Sequence, residues 1–170
     1  DTRLSRGLGD VYKRQGRLDL PGAVFTASHN PAQYNGIKFC QAGARPVGID
    51  SGLADIRDAA QAMLDGDVPE VAAERGQREQ RDMLDAFVDH VMSFVDVSAL
   101  KPMRVVADTA NGMGGLVVPA LFERLPMIEL EVMYGELDGT FPNHPADPLQ
   151  PANQRDLQAR VVSGLSLIHI

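Results

Sequence analysis

Residues 22–41 read GAVFTASHNPAQYNGIKFCQ, and this stretch bears most directly on how the chain folds. A short apolar run precedes a segment rich in turn-forming residues, and a second apolar run follows the pair Asn35-Gly36. An Asn-Gly pair between two apolar runs is typical of a turn. The pattern therefore predicts two strands, Ala23–Ala27 and Ile37–Gln41, joined by a loop with exposed polar side chains.

The loop carries Ser28 with His29 directly after it, and Lys38 stands ten residues further on in the second predicted strand. A serine hydroxyl is a poor nucleophile at neutral pH, so it needs a base or local positive charge to react. His29 can supply the base or hold the loop, and Lys38 can move protons or offset the charge of a phosphate. The alternative is that Ser28 and Asn30 only form hydrogen bonds within a turn.

Strand and helix signals alternate along the rest of the chain. A strand, turn, helix and strand of this length predict a βαβ unit with a parallel pair of strands. We predict helices over 50–64, 81–95, 116–125 and from Ala152, and strands over 103–107 and 128–134. We also predict a glycine-rich turn over 111–115, loops over 65–79 and 139–151, and a domain junction over 96–102.

The composition of the chain limits the classes of protein to which it can belong. The formal net charge of -7 argues against a nucleic-acid partner, because a surface that follows phosphates is normally basic. The single cysteine, Cys40, excludes an internal disulfide framework and suits a reducing compartment. No apolar run approaches the roughly 20 residues that span a bilayer, and the first residues lack the apolar core of a signal peptide. These features predict a soluble, cytoplasmic α/β protein that binds neither nucleic acid nor membrane.

The string TASHNP-x-x-YNG-x-K over 26–38 resembles the active-site serine loop of the α-D-phosphohexomutases, the family of phosphoglucomutase and phosphomannomutase. The resemblance implies that Ser28 carries a phosphoryl group as phosphoserine. This group would pass between the 1- and 6-positions of a hexose phosphate through a hexose 1,6-bisphosphate intermediate. The other catalytic residues that the resemblance implies are His29 and Lys38, Lys38 being the acid/base lysine. The residues that would shape the loop are Thr26, Asn30 and Asn35.

The same resemblance implies one Mg²⁺, bound by the phosphate on Ser28 and by three aspartates of a separate Asp-Gly-Asp-x-Asp loop. That loop does not occur in the sequence. The nearest string, Asp65-Gly66-Asp67, continues with Val68 and Pro69, and we interpret it as a solvated turn.

The resemblance implies incomplete three-layer α/β domains with mixed or parallel sheets. Residues 16–98 would form the C-terminal part of the family's first domain, and 99–163 the N-terminal part of its second. We interpret residues 1–15 and 164–170 as a non-native leader and tail, because they depart from the family pattern. The chain would then be part of a phosphoglucomutase or phosphomannomutase acting on hexose phosphates, inactive by itself and of unknown oligomeric state.

Two other segments are candidate sites. The turn over 108–115 follows a predicted strand and opens a helix, so its amides could bind a phosphate. Its glycine spacing fits neither the dinucleotide fingerprint nor the Walker loop, which favours a tight structural turn. His144 has no carboxylate or second histidine at metal spacing in the sequence. We therefore interpret it as part of a proline-stiffened loop.

Three alternative functions stay open. A phosphoglucosamine mutase is the first, although Thr26 favours the glucose and mannose branch of the family. The second is a non-catalytic domain that binds a phosphosugar or a protein partner. The third is a nucleotide-binding βαβ module built on the turn over 111–115.

Overall fold

The computed structural model describes residues 20–74 and 76–164. The predicted leader, 1–15, lies outside the described residues, as does the predicted tail, 164–170, apart from Gly164. The described residues divide into two compact units. The first unit consists of the described residues up to Phe25 together with those of Ile37–Arg81. The second consists of Thr26–Gly36 and the described residues from Asp82 onward. The boundary between 98 and 99 stays a prediction.

The first unit contains an antiparallel sheet of three strands, which lie in the sheet in the order in which they follow one another along the chain. The predicted second strand is confirmed, while the first ends two residues early, because Thr26 begins the loop. Val24 and Cys40 lie buried together in the core of this unit, and burial raises the pKa of the Cys40 thiol. The elements are β1 Gly22–Phe25, β2 Ile37–Gln41, β3 Arg45–Pro46, a 3₁₀ turn over Ile49–Ser51 and helix α1 Leu53–Leu64.

The second unit is built on the predicted βαβ arrangement, which is confirmed. Its two strands run parallel, with Val105 opposite Leu130. Val105, Val106 and Ala107 are all buried although they are consecutive, so both faces of the strand are covered, as is usual in parallel sheets. The elements are α2 Leu84–Met92, β4 Met103–Asp108, α3 Gly114–Phe122, β5 Ile128–Met133 and α4 Arg155–Ser163.

The helix bounds differ from those predicted for local reasons. Helix α2 starts at Leu84 rather than residue 81, and the Asp82 carboxylate accepts a hydrogen bond from the Leu84 amide at 2.9 Å in the turn that precedes the helix. Helix α3 starts two residues earlier than predicted, within the glycine-rich segment itself. Helix α4 follows a 3₁₀ turn over Pro151–Gln154. The predicted α/β class is confirmed, and the described residues contain one antiparallel and one parallel sheet.

Arginine and glutamate side chains join strand β5 to β4 and α4. Glu131 accepts hydrogen bonds from Arg160, one of them at 2.6 Å, and from Arg104 at 3.1 Å. The Arg160 hydrogen bond, together with the charges of both arginines, holds the pKa of Glu131 below its usual range. This network ties the last described helix to the parallel pair of strands.

Glycine is required where α3 passes the end of β5. A Cβ at Gly115 would overlap the carbonyl oxygen of Gly135, which is backbone and cannot rotate away. A Cβ at Gly139, by contrast, would meet nothing within 4 Å. The first position therefore allows close helix–strand packing, and the second is a loop position without that demand.

We expect Gly115→Ala to destabilise the chain by about 1–3 kcal/mol, the usual cost of inserting an extra carbon into packed structure. Gly139→Ala is the matched control and should change stability by less than about 0.5 kcal/mol. Urea unfolding followed by circular dichroism measures both. Equal unfolding midpoints for the two variants would show that the Gly115–Gly135 approach is unimportant.

We expect Glu131→Gln to lower the unfolding midpoint at pH 7, because the ionised carboxylate holds two arginines. Since the folded pKa is lowered, this stabilisation is present above the unfolded value of about 4.3 and is lost as pH falls through the folded pKa. The difference between wild type and variant should therefore shrink on going from pH 7 to pH 3. Glu123→Gln, at the exposed end of α3, is the control. A difference that is independent of pH would contradict the ion-pair account.

Candidate active site

The loop between β1 and β2 is closed at its base by two backbone segments. The Thr26 amide donates a hydrogen bond to the Gly36 carbonyl oxygen at 2.9 Å. Gly36 lies so close that a Cβ on it would overlap the Thr26 carbonyl oxygen. The glycine of the Asn35-Gly36 pair is therefore required for this closure.

Ser28 stands at the exposed tip of the loop in a left-handed backbone conformation, with φ of 54°. This region is costly for a residue with a Cβ and is concentrated at functional sites. The Ser28 amide donates to the Thr26 hydroxyl oxygen at 3.0 Å. The Ser28 hydroxyl lies 3.2 Å from His29 Nδ1, within hydrogen-bond distance. The serine is thus exposed, locally constrained and adjacent to a titratable ring.

Asn30 holds the far side of the same turn. Its amide and its side-chain Nδ2 both donate to the Ala27 carbonyl oxygen, at 3.1 and 2.7 Å. The next turn is closed by the Tyr34 amide, which donates to the Pro31 carbonyl oxygen at 2.9 Å. The loop therefore has a defined backbone on both sides of Ser28.

The hydrogen bonds bring Thr26, Ser28, His29 and Asn30 together. Asn35 is exposed and directly precedes the glycine that closes the loop. Lys38 is the second residue of β2, lies opposite Val24 and is exposed, and it belongs to the first unit. The catalytic roles of these residues stay predictions.

The loop residues do not suffice to bind Mg²⁺. The segment 26–36 contains hydroxyl and amide oxygens but no carboxylate, whereas Mg²⁺ sites in proteins use carboxylates together with phosphates and water. Within residues 20–74 and 76–164, no group of three or more His, Cys, Asp or Glu side chains could hold a metal ion. Asp65, Gly66 and Asp67 are exposed after α1, as expected for a solvated turn.

A second polar cluster lies where the parallel strands end. Asp108 ends β4, and its carboxylate lies 3.0 Å from His144 Nε2, while His144 Nδ1 lies 2.9 Å from the Pro145 carbonyl oxygen. Both partners are acceptors, so the ring satisfies both only when each nitrogen carries a proton. Burial by itself lowers the pKa of His144, but the hydrogen bonds to Pro145 and Asp108 and the carboxylate charges outweigh it and raise the pKa.

His144 therefore has a carboxylate partner, although the sequence places no carboxylate at metal spacing from it. The sequence did not reveal it because Asp108 lies 36 residues earlier. The available signal was topological. Asp108 ends β4, and the loop that carries His144 follows the end of β5 at the same edge of the parallel sheet. Tyr134, just after β5, contacts the His144 ring edge-on with ring centres 5.4 Å apart. Its hydroxyl donates to the Asp156 carboxylate at 2.8 Å, which raises the Tyr134 pKa.

The glycine-rich turn after β4 is occupied by its own hydrogen bonds. The Gly112 amide donates to the Thr109 carbonyl at 2.7 Å, and the Ala110 amide to the Asp108 carboxylate at 2.9 Å. The buried Asn111 side chain donates to the Glu136 carbonyl at 3.0 Å and accepts from Asn143 at 2.8 Å. These bonds, with an acidic side chain beside them, favour a structural turn over a phosphate site.

Over residues 20–74 and 76–164, none of the helices combines the length and the apolar character needed to cross a membrane.

Two models of one protein family match this sequence. The model described as phosphoglucomutase/phosphomannomutase, alpha/beta/alpha domain I, matches residues 14–63. The model described as alpha/beta/alpha domain II of the same family matches residues 85–166. The first match contains the serine loop, and the second contains the parallel strands.

Curated relatives cover nearly the whole chain. It is 36% identical over 162 residues to the phosphomannomutase of Salmonella montevideo, with 92% of this chain and 35% of the relative covered. It is 40% identical over 157 residues to a protein named phosphohexose mutases of Xanthomonas campestris pv. campestris, with 92% and 34% covered. The chain thus spans about a third of the length of the curated relatives it matches.

Solved structures share the fold. A phosphoglucomutase/phosphomannomutase family protein from Burkholderia thailandensis superposes with a TM-score of 0.65 at 31% identity, covering 86% of this chain and 30% of that one. A structure from Thermus thermophilus superposes with a TM-score of 0.67 at 22% identity, covering 94% and 36%. The second likeness concerns the fold alone.

We expect the Asp108–His144 pair to make stability depend on pH near neutrality. Because the folded pKa of His144 is raised, its stabilisation is complete below the unfolded value of about 6.5 and is lost as pH rises through the folded pKa. His144→Gln should therefore destabilise the chain more at pH 5.5 than at pH 9. Asp108→Asn should lower the pKa of His144, as measured by an NMR titration. An unchanged His144 titration in Asp108→Asn would contradict this account.

Proposed function

The chain belongs to the phosphoglucomutase/phosphomannomutase family, and from that premise we propose that Ser28 accepts and returns the phosphoryl group of a hexose phosphate. The loop geometry is the observation that carries the proposal. An exposed serine hydroxyl, held in a constrained turn with an imidazole nitrogen 3.2 Å away, is suited to reversible group transfer. This turn lies within the segment matched to the first domain of the family.

The proposed transfer exchanges one phosphate ester for another. The Ser28 Oγ attacks phosphorus, a bond forms between Oγ and phosphorus, and the bond from phosphorus to the sugar oxygen breaks. The serine proton passes to a base, and the departing sugar oxygen takes up a proton. This transfer is the second half of the cycle. In the first half, phosphorylated Ser28 gives its phosphoryl group to the free 1- or 6-hydroxyl of a hexose monophosphate; the bond from Oγ to phosphorus breaks, the sugar hydroxyl loses its proton to a base, and a hexose 1,6-bisphosphate forms. The other phosphate of the bisphosphate then returns to Ser28 by the transfer described above.

We assign the proton-handling roles to two residues. His29 Nδ1 is within reach of the serine hydroxyl and can accept its proton or hold its orientation. Lys38 matches the acid/base lysine of the family and is exposed near the start of β2. Thr26, Asn30 and Asn35 keep the loop in shape. Positioning and charge stabilisation provide most of the catalysis in phosphoryl transfer generally.

We propose Mg²⁺ dependence for the intact enzyme only. The described residues do not by themselves fit the ion, since the loop lacks carboxylates. The chain spans about a third of the relatives' length, and for this reason we propose that the 170-residue polypeptide alone has negligible mutase turnover.

We propose a hexose phosphate of the mannose or glucose series as substrate. A relative named phosphomannomutase, 36% identical over most of this chain, supports that class. The chain has a single cysteine, which is buried and cannot form a disulfide within the chain, and this supports a reducing, cytoplasmic setting.

A chimera tests the proposal. Residues 20–163 would replace the matching segment of the Xanthomonas phosphohexose mutase, whose remaining sequence supplies the other two thirds of the enzyme. We expect the chimera to interconvert hexose 1- and 6-phosphates and to carry phosphate on Ser28, detected by mass spectrometry. Ser28→Ala should reduce kcat by about 10³-fold or more, as for other nucleophile removals.

Ser93→Ala is the matched control, because it removes a serine hydroxyl at the exposed end of α2 and outside the loop. It should leave the rate of the chimera unchanged. An active chimera in which Ser28→Ala has no effect would contradict the assignment of Ser28.

A further inference from the structure

Thr26 contacts the loop through three different groups. Its amide donates to the Gly36 carbonyl at 2.9 Å, its carbonyl packs against Gly36, and its hydroxyl oxygen accepts the Ser28 amide at 3.0 Å. The first two contacts fix Thr26 at the base of the loop. The third contact links Thr26 to Ser28, the residue that carries the reactive hydroxyl.

The Ser28 backbone needs such a support. A left-handed conformation at a residue with a Cβ persists only when its surroundings over-determine it. On one side of Ser28, Asn30 donates twice to the Ala27 carbonyl. On the other side, the Thr26 hydroxyl accepts the amide of Ser28 itself. The free-energy cost of the left-handed conformation is similar to the stabilisation that one hydrogen bond provides. The hydrogen bond to the Thr26 hydroxyl is therefore sufficient to keep Ser28 in this conformation.

The hydrogen bond from the Ser28 amide to the Thr26 hydroxyl also makes this amide unavailable to a phosphate on Ser28. Serine side chains readily form hydrogen bonds with nearby backbone groups, and a phosphoserine adds strong acceptor oxygens beside its own amide. In this loop the Ser28 amide already has a partner in Thr26 Oγ1. A phosphate on Ser28 could therefore not accept a hydrogen bond from the Ser28 amide, and it would extend away from the loop.

We propose that Thr26 is a positioning residue for phosphoryl transfer. Its hydroxyl holds Ser28 in the left-handed conformation and withholds the Ser28 amide from the phosphate, so the phosphoryl group stays presented to the sugar. The inference rests on the proposed function of Ser28. It gives the Thr26 hydroxyl a role that serine, but not valine, can fill.

NMR of the 170-residue chain with phosphoserine incorporated at position 28 tests the geometry. The amide proton shift of residue 28 is followed through the second ionisation of the phosphate, near pH 6. We expect the shift to be insensitive to this ionisation in the wild type and in Thr26→Ser. In Thr26→Val the freed amide should bind the phosphate, so its shift should follow the ionisation, and its coupling constant should leave the left-handed range.

Thr140→Val is the matched control, since it removes a loop threonine hydroxyl bonded to Asp138, outside the serine loop. It should behave as the wild type does. A wild-type amide that follows the phosphate ionisation overturns the proposal, and this readout does not require any variant to fold.

The chimera gives the kinetic readout. We expect Thr26→Val to lower kcat by about tenfold, as loss of one hydrogen bond allows, with KM little changed and with recovery in Thr26→Ser. An active chimera in which Thr26→Val keeps the full kcat overturns the positioning role. Activity that is indifferent to Ser28→Ala instead removes the proposed function, while the NMR result still reports on the Thr26 geometry.

Discussion

The serine loop depends on the close approach of two backbone segments at its base. The Thr26 amide bonds to the Gly36 carbonyl, and only a residue without a Cβ allows the approach. This contact closes the loop over nine intervening residues and fixes the position from which Thr26 reaches Ser28. The exposed hydroxyl is therefore held by contacts within the loop rather than by burial of its own side chain.

The second unit holds its loops through paired polar side chains. Its parallel strands end at a polar edge, where Asp108, Tyr134 and His144 contact one another or share partners. The nearby Asn111 is buried, and its side chain has hydrogen-bond partners on both its nitrogen and its oxygen. A buried polar side chain that is bonded at both its nitrogen and its oxygen stabilises one arrangement of its loops, because another arrangement would leave these atoms without partners. This edge accordingly fixes the loops that follow β4 and β5.

Much of this could be predicted from the sequence because the signals were local. Apolar runs and the Asn-Gly pair placed β2 and the loop, and the strand–turn–helix–strand pattern indicated the parallel pair. The errors were at element ends, where local hydrogen bonds such as those at Asp82 and Thr26 accompany the boundary. Those contacts are short-range, yet apolar periodicity does not encode them.

The sequence by itself determined the chemistry of the site: which residues are present, the family they indicate and the lack of carboxylates in the loop. The tertiary structure decided what each group faces. In the folded chain the Ser28 amide donates a hydrogen bond to the Thr26 hydroxyl oxygen, and His144 contacts the carboxylate of Asp108, 36 residues away in the sequence. The physical reason is that residue type sets which bonds a group can form, whereas the backbone path alone sets which partner lies within about 3 Å of it.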